Sequence, residues 1–136
     1  MPYSITLLYA GLSGLLLLAL SFQVVGLRRK HRVGLGTGQH PDLERIMRVH
    51  GNFCEYVPLA LLLLLVLELS GALSPWLLHG LGIILIVGRV LHAVGLSRSA
   101  GTSMGRFVGT LLSWLMILIS ALLAVGIAVG GALAQL

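Results

Sequence analysis

The sequence contains a single cysteine, Cys54, and only four acidic residues, Asp42, Glu44, Glu55 and Glu68. One thiol excludes an intramolecular disulfide and any Cys-rich zinc or iron–sulfur site. The five histidines show no HExxH spacing, so the sequence argues for no metal. Aromatic residues amount to 6% and are not interleaved with the basic ones as base-stacking platforms would be, which argues against nucleic acid as a partner. No internal repeat and no linker divide the chain, which reads as one domain over residues 1–136. The N-terminus lacks the basic residues that open a signal peptide, and its apolar run is too long for a signal h-region. It is expected to stay attached as a first helix.

What the chain has in abundance is apolar surface. Apolar residues make up 57% of 136 residues, and the mean hydropathy is +1.03. A water-soluble domain of this size has too little interior to hide them. Lipid is the solvent that fits. No residue from Tyr3 to Leu27 is charged, and roughly 20 apolar residues suffice to cross the hydrocarbon core. The pattern predicts four membrane helices over residues 3–27, 42–70, 75–96 and 104–134, an all-α bundle. Asp42 is the expected cap of the second helix, Ser74-Pro75 opens the third, and Thr102 or Ser103 caps the fourth.

The segment Arg28-Arg29-Lys30-His31-Arg32, followed by Gly34, Gly36, Gly38 and Pro41, reads as the longest loop. Lys and Arg accumulate in loops that stay cytoplasmic, so this cluster and Arg98 place the first and third loops inside and both termini outside. Gly105-x-x-x-Gly109 and Gly126-x-x-x-Gly130 are spaced for close helix approach, within the chain or between subunits.

On a helix at 100 degrees per residue, Arg45, Arg48, Asn52, Glu55 and Tyr56 share one face. Glu55 lies on the order of 15 Å along the helix from Arg45, where an unpaired carboxylate is costly. The third helix runs the opposite way and brings Arg89 to a similar depth, so an Arg89–Glu55 pair is expected, with His92 one turn nearer the cytoplasm. Arg106 opens the fourth helix and Arg28 and Arg29 close the first, so all four helices deliver polar groups to one layer. His50 and Glu68 fall off the stripe and read as interfacial. His31, His40 and His79 read as solvated or interfacial, and Cys54 as a small packing residue.

A pocket with several guanidiniums, one carboxylate and one amide suits a zwitterion with two carboxylates and an ammonium, the pattern of glutathione. A guanidinium beside its thiol favours the thiolate, and Arg106, at a helix N-terminus, is the candidate for that role. An oily acceptor would enter laterally from lipid.

At these residues the chain resembles the MAPEG family, membrane-associated proteins in eicosanoid and glutathione metabolism. Glu44-Arg45-Ile46-Met47-Arg48-Val49-His50-Gly51-Asn52-Phe53-Cys54-Glu55-Tyr56-Val57-Pro58 is similar to the family's E-R-x-x-R-x-x-x-N-x-x-E-Y-x-P signature. Val87-Gly88-Arg89-Val90-Leu91-His92 is similar to its V-G-R-x-x-H. The resemblance spans nearly the whole length. It implies a bacterial-type member in the inner membrane, a homotrimer with sites at subunit interfaces near the cytoplasmic face. It also implies glutathione as cosubstrate and a lipophilic small molecule as acceptor. Residue by residue, it implies that Arg48, Asn52, Glu55 and Tyr56 hold the peptide, that Arg29, Arg89 and His92 contribute to the same site, and that Arg106 faces the sulfur. Gly51, Leu96, Phe107 and Thr110 depart from the eicosanoid enzymes, which carry arginine, tyrosine, serine and tyrosine there in some members. General glutathione transfer or peroxidase activity is the expectation that survives, with a non-catalytic lipid-binding protein of the same fold as the alternative. A small multidrug transporter fits the size but would be expected to carry an acid in helix one, which has none.

Overall fold

The computed structural model describes residues 3–98 and 103–135. Four helices follow in order, α1 (Ser4–His31), α2 (Pro41–Leu69), α3 (Pro75–Arg98) and α4 (Met104–Leu133), each long and apolar enough to cross a membrane. α1 packs on α2 and α3, and α4 packs on α3 and α2. No contact joins α1 to α4 among the described residues, so α2 and α3 form the middle of the bundle.

The interior is a ladder of aliphatic side chains at helical spacing. On α2 the buried face runs Val49, Phe53, Val57, Ala60, Leu64 and Leu67, steps of three and four that keep one stripe inward. It meets Leu78, Leu81 and Leu85 of α3. Leu15, Phe22, Leu122 and Val125 are among many large apolar side chains left outside. That inversion of the soluble pattern is stable only in lipid.

α1 passes its expected end at Leu27 and carries Arg28, Arg29, Lys30 and His31 in helical conformation. Long basic side chains reach away from the apolar zone, so the backbone continues as helix beyond the hydrocarbon. Arg32 ends it in the left-handed region at φ 57°, its amide directed at the Arg28 and Arg29 carbonyls. α2 starts at Pro41 with His40 as its cap residue, so Asp42 does not cap the helix. Instead Asp42 Oδ1 accepts from its neighbour Leu43 N at 2.9 Å and Oδ2 lies 2.8 Å from His31 Nε2. Ser103 does cap α4, accepting from Arg106 N at 3.2 Å, whereas Thr102 and the expected turn at 99–101 lie outside the described residues.

Glu68 has a sharper role than its interfacial reading implied. Its two carboxylate oxygens accept from Ile5 N at 2.8 Å and Thr6 N at 2.7 Å. The C-terminal end of α2 thus caps the free amides of α1, where a negative charge also meets the positive end of the helix dipole. Glu68→Ala is expected to lower stability by about 1–2 kcal/mol, the range for a lost cap, read as an earlier thermal unfolding midpoint in detergent. Glu68→Gln should fall between the two.

His79 and His50 also bind helices together. Tyr9 OH donates to the His79 carbonyl at 3.0 Å and lies 3.1 Å from His79 Nδ1, joining α1 to α3. His50 Nε2 lies 3.1 Å from Ser21 Oγ, joining α2 to α1. Cys54 is exposed and packs into no core, because it falls one position past the buried Phe53.

Candidate functional site

A polar cavity of about 290 Å³ opens where α2, α3 and α4 meet. Pro41, Glu44, Arg45, Arg48 and Asn52 line it from α2, His92 and Leu96 from α3, and Arg106 from α4. The α2 residues converge because spacings of three and four keep them on one face. Three guanidiniums against one carboxylate leave the cavity strongly electropositive, suited to a ligand with more than one anionic group.

His92 and Arg106 are brought together by glycine. A Cβ at Gly109 would collide with the His92 amide nitrogen and the Gly88 carbonyl, and one at Gly95 would collide with the Arg106 amide nitrogen. α3 and α4 therefore touch backbone to backbone beside the cavity, the close approach that Gly105-x-x-x-Gly109 permits. A Cβ added at Gly126 or Gly130 would meet no other helix within 4 Å among the described residues. Gly109→Ala is expected to force the two backbones apart and cost about 1–3 kcal/mol, seen as a lower unfolding midpoint together with weaker ligand binding.

Arg89 stands behind this cavity. It is 2% exposed, and its Nη1 donates to Asn52 Oδ1 at 2.8 Å and to the Asn52 carbonyl at 3.3 Å. Its guanidinium carbon lies 5.6 Å from the centre of the half-buried Tyr56 ring, within reach of a cation–π attraction. Nε and Nη2 are buried without a partner among the described residues. Arg89 thus orients the Asn52 amide, and Asn52 presents itself to the cavity from a fixed position.

Arg89 does not pair with Glu55. Three residues advance a helix by about 300 degrees, which leaves Glu55 about 60 degrees around α2 from Asn52, and only Asn52 faces α3. Glu55 is exposed, lies outside the cavity lining, and forms no ion pair among the described residues. Arg29 is exposed as well and does not line the cavity, so α1 contributes nothing to it within one chain. Arg28 is spent locally, its guanidinium donating to the Gly34 carbonyl at 3.1 Å. Of the residues singled out from sequence, Arg45, Arg48, Asn52, His92 and Arg106 share the cavity wall. Glu44, in the signature but given no role from sequence, also lines it. Its position one helical turn before Arg48 was the available signal.

A second groove, about 310 Å³, lies along α4 between Ser103 and Trp114, walled by Arg106, Phe107, Thr110 and Leu111. Its character is apolar, and Thr110 has already given its hydroxyl hydrogen to the Arg106 carbonyl at 2.9 Å. Among the described residues, Arg106 is the one common to the polar cavity and this groove.

A sequence model of the MAPEG family matches residues 6–126. The chain belongs to the MAPEG family. This MAPEG protein is 45% identical over 91 residues to the inner membrane protein YecN of Escherichia coli strain K12, a match covering 67% of this chain and 69% of YecN. YecN of Escherichia coli O6:H1 matches to the same extent. Membership agrees with the four membrane-length helices, and the family signature in α2 supplies Glu44, Arg48 and Asn52 to the cavity wall.

Proposed function

We propose that this MAPEG protein is a glutathione-dependent enzyme of the inner membrane that transfers the tripeptide to lipophilic electrophiles or uses it to reduce lipid hydroperoxides. The observation that carries this reading is the position of Arg106, which borders a polar, cationic cavity on one side and an apolar groove on the other. An anionic peptide suits the first and an oily acceptor the second, with the guanidinium at their junction. Arg45 and Arg48 would take the peptide carboxylates, Glu44 the ammonium, and Asn52 a backbone amide. Glu55, Tyr56, Arg89 and Arg29 take supporting places, Arg89 through Asn52.

A free thiol titrates near about 8.5, so only a few per cent is thiolate at neutral pH. A guanidinium beside the sulfur that lowers this by about two units contributes roughly 2.7 kcal/mol of differential interaction. The thiolate then attacks the acceptor carbon, and the leaving group departs with the bonding electron pair. With a hydroperoxide it attacks the distal oxygen, the alcohol leaves, and a second glutathione releases water and the disulfide.

Subunit association supports the site. An exposed carboxylate at the depth of Glu55 costs about 2.5–3.5 kcal/mol if it faces lipid, so a second copy covering this face of α2, as in a homotrimer, removes that cost. The same contact would bring a neighbour's Arg29 towards the cavity. The basic end of α1 supports a site near the cytoplasmic face, with both termini outside, because Lys and Arg accumulate on that side.

The alternative, presentation of a lipid without catalysis, draws on Leu96 and on the engaged hydroxyl of Thr110, which leave the site without a phenol or a free hydroxyl at those positions. One titration separates the two. Glutathione added to detergent-solubilised protein is expected to produce the ultraviolet absorbance of a thiolate, in proportion to occupied sites. Bound glutathione without that band would favour presentation.

A further inference from the structure

We propose that the connection between α1 and α2 forms a binding site for a divalent transition-metal ion, with His31, His40 and Asp42 as its ligands. The ligand atoms of these three half-buried residues all lie within 4.8 Å of one another. Around an ion bound at about 2.0–2.2 Å, neighbouring ligand atoms sit roughly 3.3 Å apart. The His31 and His40 rings are stacked nearly parallel, so one imidazole must rotate out of the stack to bring both nitrogens onto one ion. His31 Nε2 and Asp42 Oδ2 are already 2.8 Å apart, sharing a proton that the ion would displace to solvent.

The carboxylate is held in advance. Asp42 Oδ1 is fixed by the Leu43 amide at 2.9 Å, which leaves Oδ2 for the ion. The His31 and His40 rings lie 3.9 Å apart and 13° from parallel. Gly38, at φ +57°, leaves no room for a side chain, since a Cβ there would meet Val33 Cγ2 at 2.6 Å and His40 Cδ2 at 3.2 Å. The residues flanking the two histidines, Arg32 at φ 57° and Gln39 at φ 63°, are the only non-glycine residues in the left-handed region among those described. A side chain makes that backbone conformation unfavourable, and strain of that kind is retained where a local geometry has a use.

Two imidazoles and one carboxylate select zinc, nickel, copper or cobalt over calcium and magnesium, which require several oxygen ligands. Arg29, Lys30 and Arg32 are exposed, so solvent screens their repulsion. The ion would clasp the end of α1 to the start of α2. Pro41, between two of its ligands, lines the polar cavity, so occupancy would stiffen one rim of the site.

Cobalt(II), added to the full chain with its purification tag removed, tests this. The expected result is one saturable site per chain with visible d–d absorption, displaced by zinc, and at least tenfold weaker in both His40→Ala and Asp42→Asn. His79→Gln, at the opposite end of the bundle, should bind as wild type does. Zinc should also raise the unfolding midpoint of wild type but not of His40→Ala. Absence of saturable binding, equal affinity in all variants, or a midpoint unmoved by zinc in wild type would overturn the proposal.

Discussion

Arg106→Ala is expected to remove the thiolate band of bound glutathione and to lower turnover with a lipophilic electrophile by about 25-fold, because a two-unit fall from about 8.5 raises the thiolate fraction at neutral pH from roughly 3% to roughly 75%. The side chain is exposed at the mouth of two cavities and makes no side-chain hydrogen bond among the described residues, so its loss should change stability by no more than about 0.5 kcal/mol. Folding and chemistry are therefore separable at this position. Arg106→Lys keeps the charge but loses the planar fork, and should recover part of the thiolate band. The measurements are absorbance at saturating glutathione and steady-state turnover at matched protein levels.

The second large effect concerns Asn52 and Arg89. Asn52→Leu deprives the buried guanidinium of its 2.8 Å partner, and Nε and Nη2 already lack one. A buried charge left without compensation costs about 3–5 kcal/mol, so this variant should unfold much earlier in a detergent melt. Arg89→Met removes the charge together with its demand for partners, and should be close to neutral in stability. The pair Asn52→Leu with Arg89→Met should then recover most of the loss, a positive coupling that a cycle of the four proteins measures. Glutathione binding should remain weak in both proteins that carry Asn52→Leu, because the amide lining the cavity is gone.

The helices were legible because length and apolarity decide them, and the Ser103 cap was legible from local chemistry. The end of α1 was not: basic residues read as a loop, although a helix can carry them past the hydrocarbon when the side chains reach outward. Helical periodicity put Arg48 and Asn52 on one face, and their cavity partners His92 and Arg106 followed from antiparallel packing. Periodicity alone left open whether Asn52 or Glu55 meets Arg89, since the two differ by about 60 degrees and only the docking angle of α3 decides. The same limit applies to glycine: Gly105 and Gly109 share a spacing with Gly126 and Gly130, yet among the described residues of one chain only the first pair meets another helix. The meeting of His31, His40 and Asp42 depends on left-handed turns that their spacing does not reveal.

The most direct measurement is a high-resolution map of the lipid-embedded protein saturated with glutathione. It should show the tripeptide in the cavity between α2, α3 and α4, in contact with Arg48 and Asn52 and with its sulfur nearest the Arg106 guanidinium. A cavity closed around its own side chains, or a bound peptide whose sulfur points away from Arg106, would contradict thiol activation at this site.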